Sequence, residues 1–136
     1  MKFVLVDTSV WLLALRKKEY TIKEKAIIKY LVELIRKGLV MMIGPIRQEV
    51  LSGISDFTKF QLLRNNLAAF SDFEISTDDY ETAAEYFNLC RSKGIQGSHT
   101  DFLICSIAKN NNFSIFTLDK DFELYQKYID IDLINL

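Results

Sequence analysis

Phe3-Val4-Leu5-Val6-Asp7-Thr8-Ser9-Val10-Trp11 sets the reading of the whole chain. An apolar run passes directly into an acid and then two hydroxyl residues. A continuous apolar run closed by capping residues predicts a strand buried on both faces, as in a parallel sheet. Asp7 and Thr8 are candidate N-caps for a helix carrying Val10, Trp11, Leu12 and Leu15. The Asp7 carboxylate is thereby expected at the carboxyl end of an inner strand, where open α/β sheets build their sites. Taken alone, Asp7 reads first as a helix cap. Its weight comes from later acids that recur in the same kind of place.

Downstream, the apolar positions Ile22, Ala26, Ile27, Tyr30, Leu31, Leu34 and Ile35 repeat at helical period, and Gly38 supplies a stop. Leu39 to Ile43 reads as a second buried strand, and Gly44-Pro45 opens another helix with Glu49 about one turn in. A helix is expected from Ser55 to Phe70, and a brief strand from Phe73 to Ile75. Ser76, Thr77 or Asp78 caps the next helix, which Lys93-Gly94 ends. Ser98 to Asn110 is read as a deeply buried helix, Ser114 to Thr117 as a third inner strand, and Asp119 to Tyr128 as a short helix. The alternating tail from Ile129 to Leu133 predicts a strand with one wet face. Strands alternating with helices predict an α/β fold, a three-layer sandwich of about five short parallel strands with helices on both faces.

A chain of 136 residues that is 49% hydrophobic is sized for one domain, residues 1–136, with one core. Its net charge of −1 carries no global basic field, so a nucleic-acid partner would need a local patch. Cys90 and Cys105 sit among apolar neighbours in helical patterns and match no zinc spacing. Two buried thiols fit a reducing cytoplasm. Asp7 interrupts the first apolar segment too early for a signal peptide, and no run reaches membrane-spanning length.

Asp7, Glu49, Asp101 and Asp119 each follow a short apolar run or a turn, at or near a helix start. Each also has an ordinary structural role open to it, as a cap or as a first-turn acid favoured by the helix dipole. Together they are harder to explain that way, because acids in apolar surroundings rarely lack partners. Two carboxylates ~5 Å apart repel by about 3 kcal/mol at an effective dielectric of ~20. Protonation or a bound cation must relieve this. Helix N-termini favour the ionised form, so a hard divalent cation on oxygen ligands, Mg²⁺ or Mn²⁺, is the expected remedy.

The chain resembles a family at this point. Asp7-Thr8-Ser9-Val10-Trp11, Gln48-Glu49-Val50, Thr100-Asp101-Phe102-Leu103-Ile104 and Thr117-Leu118-Asp119-Lys120-Asp121-Phe122 follow, in order, the pattern of PIN domains. The size resembles a VapC-type toxin of a prokaryotic toxin–antitoxin pair. The resemblance implies a PIN-like sandwich and metal-dependent endoribonuclease activity, with Mg²⁺ or Mn²⁺ held by Asp7, Glu49, Asp101 and Asp119. It implies Ser9 and Thr117 as hydroxyls that orient carboxylates or water, and Asp121 as a supporting acid ranked below Asp119. The partners it implies are an RNA substrate, a cognate antitoxin and a second copy in a homodimer, all in the cytoplasm.

Arg16, Lys17, Lys18 and Arg47 are candidates for RNA phosphate contacts, with surface solvation as their ordinary explanation. His99, the single histidine, reads first as a solvated turn residue and Trp11 as core. The competing function is a catalytically silent PIN-like module that binds RNA or protein. A complete set of four acids favours the enzyme. An aspartyl-phosphate phosphatase is discounted, because the position two residues after Asp7 is Ser9 rather than an acid.

Overall fold

The computed structural model describes residues 2–16 and 19–136. Val4–Val6 (β1) is buried at every position and leads into helix Thr8–Arg16 (α1), whose first amides, Val10 and Trp11, donate to the Asp7 carbonyl. Helix Ile22–Arg36 (α2) starts at a capping box in which Thr21 and Glu24 each accept the other's backbone N–H through a side-chain oxygen. It ends at Gly38, whose φ of +67° suits a residue without Cβ, with the Leu39 amide donating back to the Leu34 carbonyl. Strand Val40–Met41 (β2) precedes helices Gly44–Leu51 (α3) and Phe57–Leu67 (α4). Pro45 occupies the first turn of α3, where an N–H would have no helical partner.

Helix Thr77–Ser92 (α5) begins at a second capping box, between Ser76 and Asp79. It lies along helix His99–Asn111 (α6), which is buried without interruption from Phe102 to Ala108. Strand Ser114–Phe116 (β3), helix Asp121–Tyr125 (α7) and strand Asp132–Leu133 (β4) complete the chain. A near-continuous apolar helix and two fully buried strands, β1 and β3, are what a sheet covered by helices on both faces requires.

The sheet is parallel throughout, in the order β2-β1-β3-β4. Val4, Leu5 and Val6 pair with Ser114, Ile115 and Phe116, so β1 and β3 end level with each other. The chain leaves β1 towards β2 on one side and β3 towards β4 on the other. The order therefore reverses between β1 and β3, and the crevice at their carboxyl ends is where such sheets take ligands.

Among the described residues the sheet has four strands rather than about five. The expected Phe73–Ile75 strand is reduced to a single parallel bridge between Met42 and Asp72, with the Phe73 amide donating to the Met42 carbonyl at 2.7 Å. Its neighbour has no more length to offer, because α3 begins at Gly44 and turns the β2 edge away. The helix expected from Asp119 to Tyr128 spans only Asp121–Tyr125. Trp11 is core, as expected, packed edge-on against Phe70. Among the described residues, no helix is long and apolar enough to cross a membrane.

Gly97 passes close to two aromatic rings. A Cβ on Gly97 would lie 2.8 Å from Tyr125 Cζ and 2.9 Å from Phe102 Cε2, both in packed aromatic side chains. Gly97→Ala should therefore cost about 1–3 kcal/mol in chemical denaturation, the usual cost of overpacking a rigid core. Gly44→Ala, whose Cβ would meet only Asp72 Oδ2 at 3.9 Å, should cost much less. Equal losses in the two variants would contradict the packing described.

Candidate active site

Asp7 is the first residue past β1, and its amide extends the ladder by donating to the Phe116 carbonyl at 2.9 Å. Its side chain is buried, with 6% exposure. Asp7 Oδ2 accepts from Ser9 Oγ and from Thr117 Oγ1, each at 2.8 Å. The direction of these bonds is settled by what the hydroxyls receive. Ser9 Oγ accepts the Leu118 amide at 3.0 Å, and Thr117 Oγ1 accepts the Asp119 amide at 3.0 Å. Each hydroxyl is thus free to give its own proton to the carboxylate. The network ties the loop after β3 to the end of β1 and fixes the plane of the Asp7 carboxylate.

The other acids are held in the same manner. Asp119 Oδ1 accepts the Asp121 amide at 2.9 Å, an Asx turn that starts α7. Glu49 Oε1, one turn into α3, accepts from Thr8 Oγ1 at 2.9 Å. Asp101, in the first turn of α6, accepts through Oδ2 from the Tyr125 hydroxyl at 2.7 Å, while its amide is capped by Ser98 Oγ. Among the described residues Asp7 Oδ1, Glu49 Oε2 and Asp119 Oδ2 accept no hydrogen bond from the protein. Three carboxylates are therefore oriented by one oxygen and present the other.

Electrostatics couples Asp101 to Asp7 and Asp119. Burial raises the Asp101 carboxyl above its ordinary range, and the negative charges of Asp7 and Asp119 raise it further, against the hydrogen bonds from Tyr125 and Ser98. The Tyr125 phenol is pushed far up by burial and by the acceptor it serves, so it stays a donor. Cys105, buried behind this site in α6, is held well above the ordinary thiol range, first by burial and then by Asp101, Cys90 and Asp7. It is a buried free thiol, as is Cys90.

The donor set is all oxygen and negatively charged, which suits a hard divalent cation. Among the described residues, no three acidic, histidine or cysteine side chains are grouped so as to hold a metal ion.

Tyr125 and Thr8 are site residues that the sequence reading missed. Tyr125 lies 24 positions from Asp101 and looks like one more core aromatic. Thr8 reads as a cap, and its contact with Glu49 spans 41 positions. Asp121 contributes its amide, while its side chain is exposed. The cationic candidates are differently placed. Arg16 donates through Nη2 to the Val50 and Ser52 carbonyls at the end of α3. Arg47 donates to Asp72 Oδ1 and to the Leu67 and Phe70 carbonyls, tying α3 to the end of α4. Lys17 and Lys18 lie outside the described residues.

The PIN-domain family profile matches residues 4–128. A comparison with curated proteins finds no match. Among solved structures, the chain is similar to VapBC2 from Rickettsia felis bound to a promoter DNA fragment (TM-score 0.78, 16% identity, covering 98% of both chains). It is similar to FitAcB from Neisseria gonorrhoeae (TM-score 0.77, 18% identity, covering 98% of this chain and 97% of that one). A toxin–antitoxin complex from Klebsiella pneumoniae shares 17% identity and a TM-score of 0.62 over 86% of this chain and 87% of its own. At these identities the likeness is one of fold.

The geometry predicts a pH signature. The fold raises the Asp101 pKa, so the folded chain holds that proton more tightly than the unfolded chain. Its ionisation costs stability as pH rises from the ordinary aspartate range through the raised value, and the cost is complete above that value. Without divalent cation, Asp101→Asn should exceed the parent's Tm at neutral pH. That advantage should vanish at a pH below the ordinary aspartate range. A Tm difference that stays constant between the two conditions would contradict the raised Asp101 pKa.

Proposed function

The chain belongs to the PIN-domain family, and on that premise we propose that it is a divalent-metal-dependent endoribonuclease, the VapC-type toxin of a toxin–antitoxin pair. The observation that carries the reading is the hydrogen-bonded join between the two inner strand ends, in which Ser9 and Thr117 hold Asp7 while Thr117 also receives the Asp119 amide. That join places two acids from opposite ends of the chain at the crevice where the strand order reverses. Asp101 arrives from the start of α6 and Glu49 from α3.

In this function Asp7, Glu49, Asp101 and Asp119 would hold Mg²⁺ or Mn²⁺, using the oxygens that the protein leaves without donors. The bound cation supplies positive charge against the phosphodiester and lowers the pKa of an attacking water. Ser9, Thr117, Thr8 and Tyr125 keep the carboxylates in fixed planes, so the site needs little rearrangement when substrate arrives. Asp121 supports the site through the amide that orients Asp119. No serine or cysteine nucleophile is required: Ser9 donates its proton to Asp7, and Cys105 is buried as a thiol. The phosphorus–oxygen bond is broken by water in line with its leaving oxygen.

The partners follow from the same reading. RNA is the substrate and a cognate antitoxin the inhibitor, offering a basic or bulky segment to the acids, with the toxin acting as a homodimer in the cytoplasm. The fold shared with a toxin–antitoxin complex supports this assignment.

Purified chain should cleave single-stranded RNA with millimolar Mg²⁺ or Mn²⁺ and stop when EDTA is added. Asp119→Asn should lower the rate by orders of magnitude with its circular dichroism unchanged, while Asp121→Asn, which keeps the backbone amide, should lose far less. Cleavage indifferent to EDTA would overturn the metal-dependent reading. Binding of RNA without cleavage under either cation would establish the silent module instead.

A further inference from the structure

A cavity of about 430 Å³ is lined by residues of the same helices, α3 and α6, that carry Glu49 and Asp101, together with α5. Pro45 of α3, Tyr80, Phe87 and Asn88 of α5, and His99 and Thr100 of α6 line it. Its position is fixed by covalent and packing links to the site. Thr100 precedes Asp101, and Pro45 stands one helical turn before Glu49. Phe102, which borders the same cavity, packs on Tyr125 with ring centroids 4.8 Å apart, and the Tyr125 hydroxyl donates to Asp101.

The lining has the chemistry of a base-binding pocket. His99 stacks on Phe87 at 4.9 Å with the ring planes within 13°, so the two rings form a parallel stacked pair. Among the described residues, the polar groups of the Tyr80, Asn88 and Thr100 side chains make no hydrogen bond to the protein. An amide and two hydroxyls are thus available, as both donors and acceptors, around an aromatic platform. Single-stranded RNA is read in this way, by stacking bases on aromatic faces and bonding their edges. A second cavity of about 180 Å³ continues beyond Phe87 and carries Arg91, whose guanidinium carbon is 6.0 Å from the Phe87 ring centroid. Neither cavity is lined by an acid, although the chain has 18. Among the described residues, Arg91 is the one charged residue in the lining of either cavity.

We propose that this cavity is a subsite for one unstacked nucleobase next to the scissile phosphate, with Arg91 meeting the neighbouring backbone phosphate. The inference rests on the ribonuclease reading and adds a determinant of which nucleotide flanks the cut. Stacking sets the affinity; Asn88 sets the preference among bases.

His99 is the single histidine, so its imidazole gives one isolated NMR signal. The full-length chain in EDTA is titrated at fixed pH with the four ribonucleoside 5′-monophosphates and, separately, with ribose 5-phosphate. The expected result is a saturable ring-current shift of the His99 Cε1–H signal with at least one nucleotide and none with ribose 5-phosphate. Arg91→Gln should weaken that binding about tenfold, the loss of one charge-assisted contact, and Asn88→Ala should change the order of preference among the nucleotides. Cleavage of RNA by a chain whose His99 signal ignores every nucleotide would overturn the subsite and leave the ribonuclease reading standing. A His99 signal that moves with protein concentration and not with nucleotide would show a second copy in the cavity, and would also overturn the subsite. Nucleotide binding at His99 in a chain that cleaves no RNA would uphold the base pocket and remove the nuclease reading.

Discussion

Mutual repulsion among carboxylates at the ends of β1 and β3 is the constraint on which the rest of the structure turns. Asp7 and Asp119 stand at the two inner strand ends, and their charges reach Asp101 across the crevice. A group of acids in a half-buried crevice tends to swing apart towards solvent or to take up protons. The fold resists the first tendency with hydrogen bonds rather than cations. The described residues give these acids hydroxyl and amide donors, from Thr8, Ser9, Thr117, Tyr125 and the Asp121 backbone. Neutral donors orient an acid without cancelling its charge, so the negative potential stays available to an incoming cation.

The scaffold is built to hold those donors still. β1 and β3 are fully buried and in register, so Ser9 and Thr117 meet across a short, rigid gap. Tyr125 is fully buried between Phe102 and Phe122, and Gly97 passes so close to it that no side chain fits there. The hydroxyl of a ring clamped on several sides has little freedom to leave Asp101. Arg16 and Arg47, candidates for phosphate contacts on their charge alone, bond instead to carbonyls at the ends of α3 and α4 and fix the helix that carries Glu49.

The sheet and the placement of the acids at strand ends and helix starts were largely legible in the sequence because each rests on local chemistry. An apolar run ending in Asp-Thr-Ser announces a strand end and a helix start, and the same grammar recurs around Asp101 and Asp119. The cap residues Thr21, Ser76 and Ser98 act as their types suggest. What stayed hidden depends on distant pairing. Phe73 to Ile75 has strand-like composition, yet strand length is set by the neighbour, and β2 ends too soon to pair with it. Tyr125 gives no local sign that its hydroxyl serves Asp101, since periodicity reports burial and is silent about a polar tip. The two arginines illustrate the same limit: their charge is visible in sequence, but the carbonyls that absorb it are not.

The central claim is that the carboxylates of Asp7, Glu49, Asp101 and Asp119 act as one cation site. Mn²⁺ binding followed by electron paramagnetic resonance tests it directly, because free and protein-bound ion give separable signals and no substrate is needed. The account predicts saturable binding to the parent chain, strong weakening in Asp7→Asn and in Asp119→Asn, and retention in Asp121→Asn. Equal Mn²⁺ affinity in the parent and in both weakened variants would show that the acids do not work together, and would contradict the account.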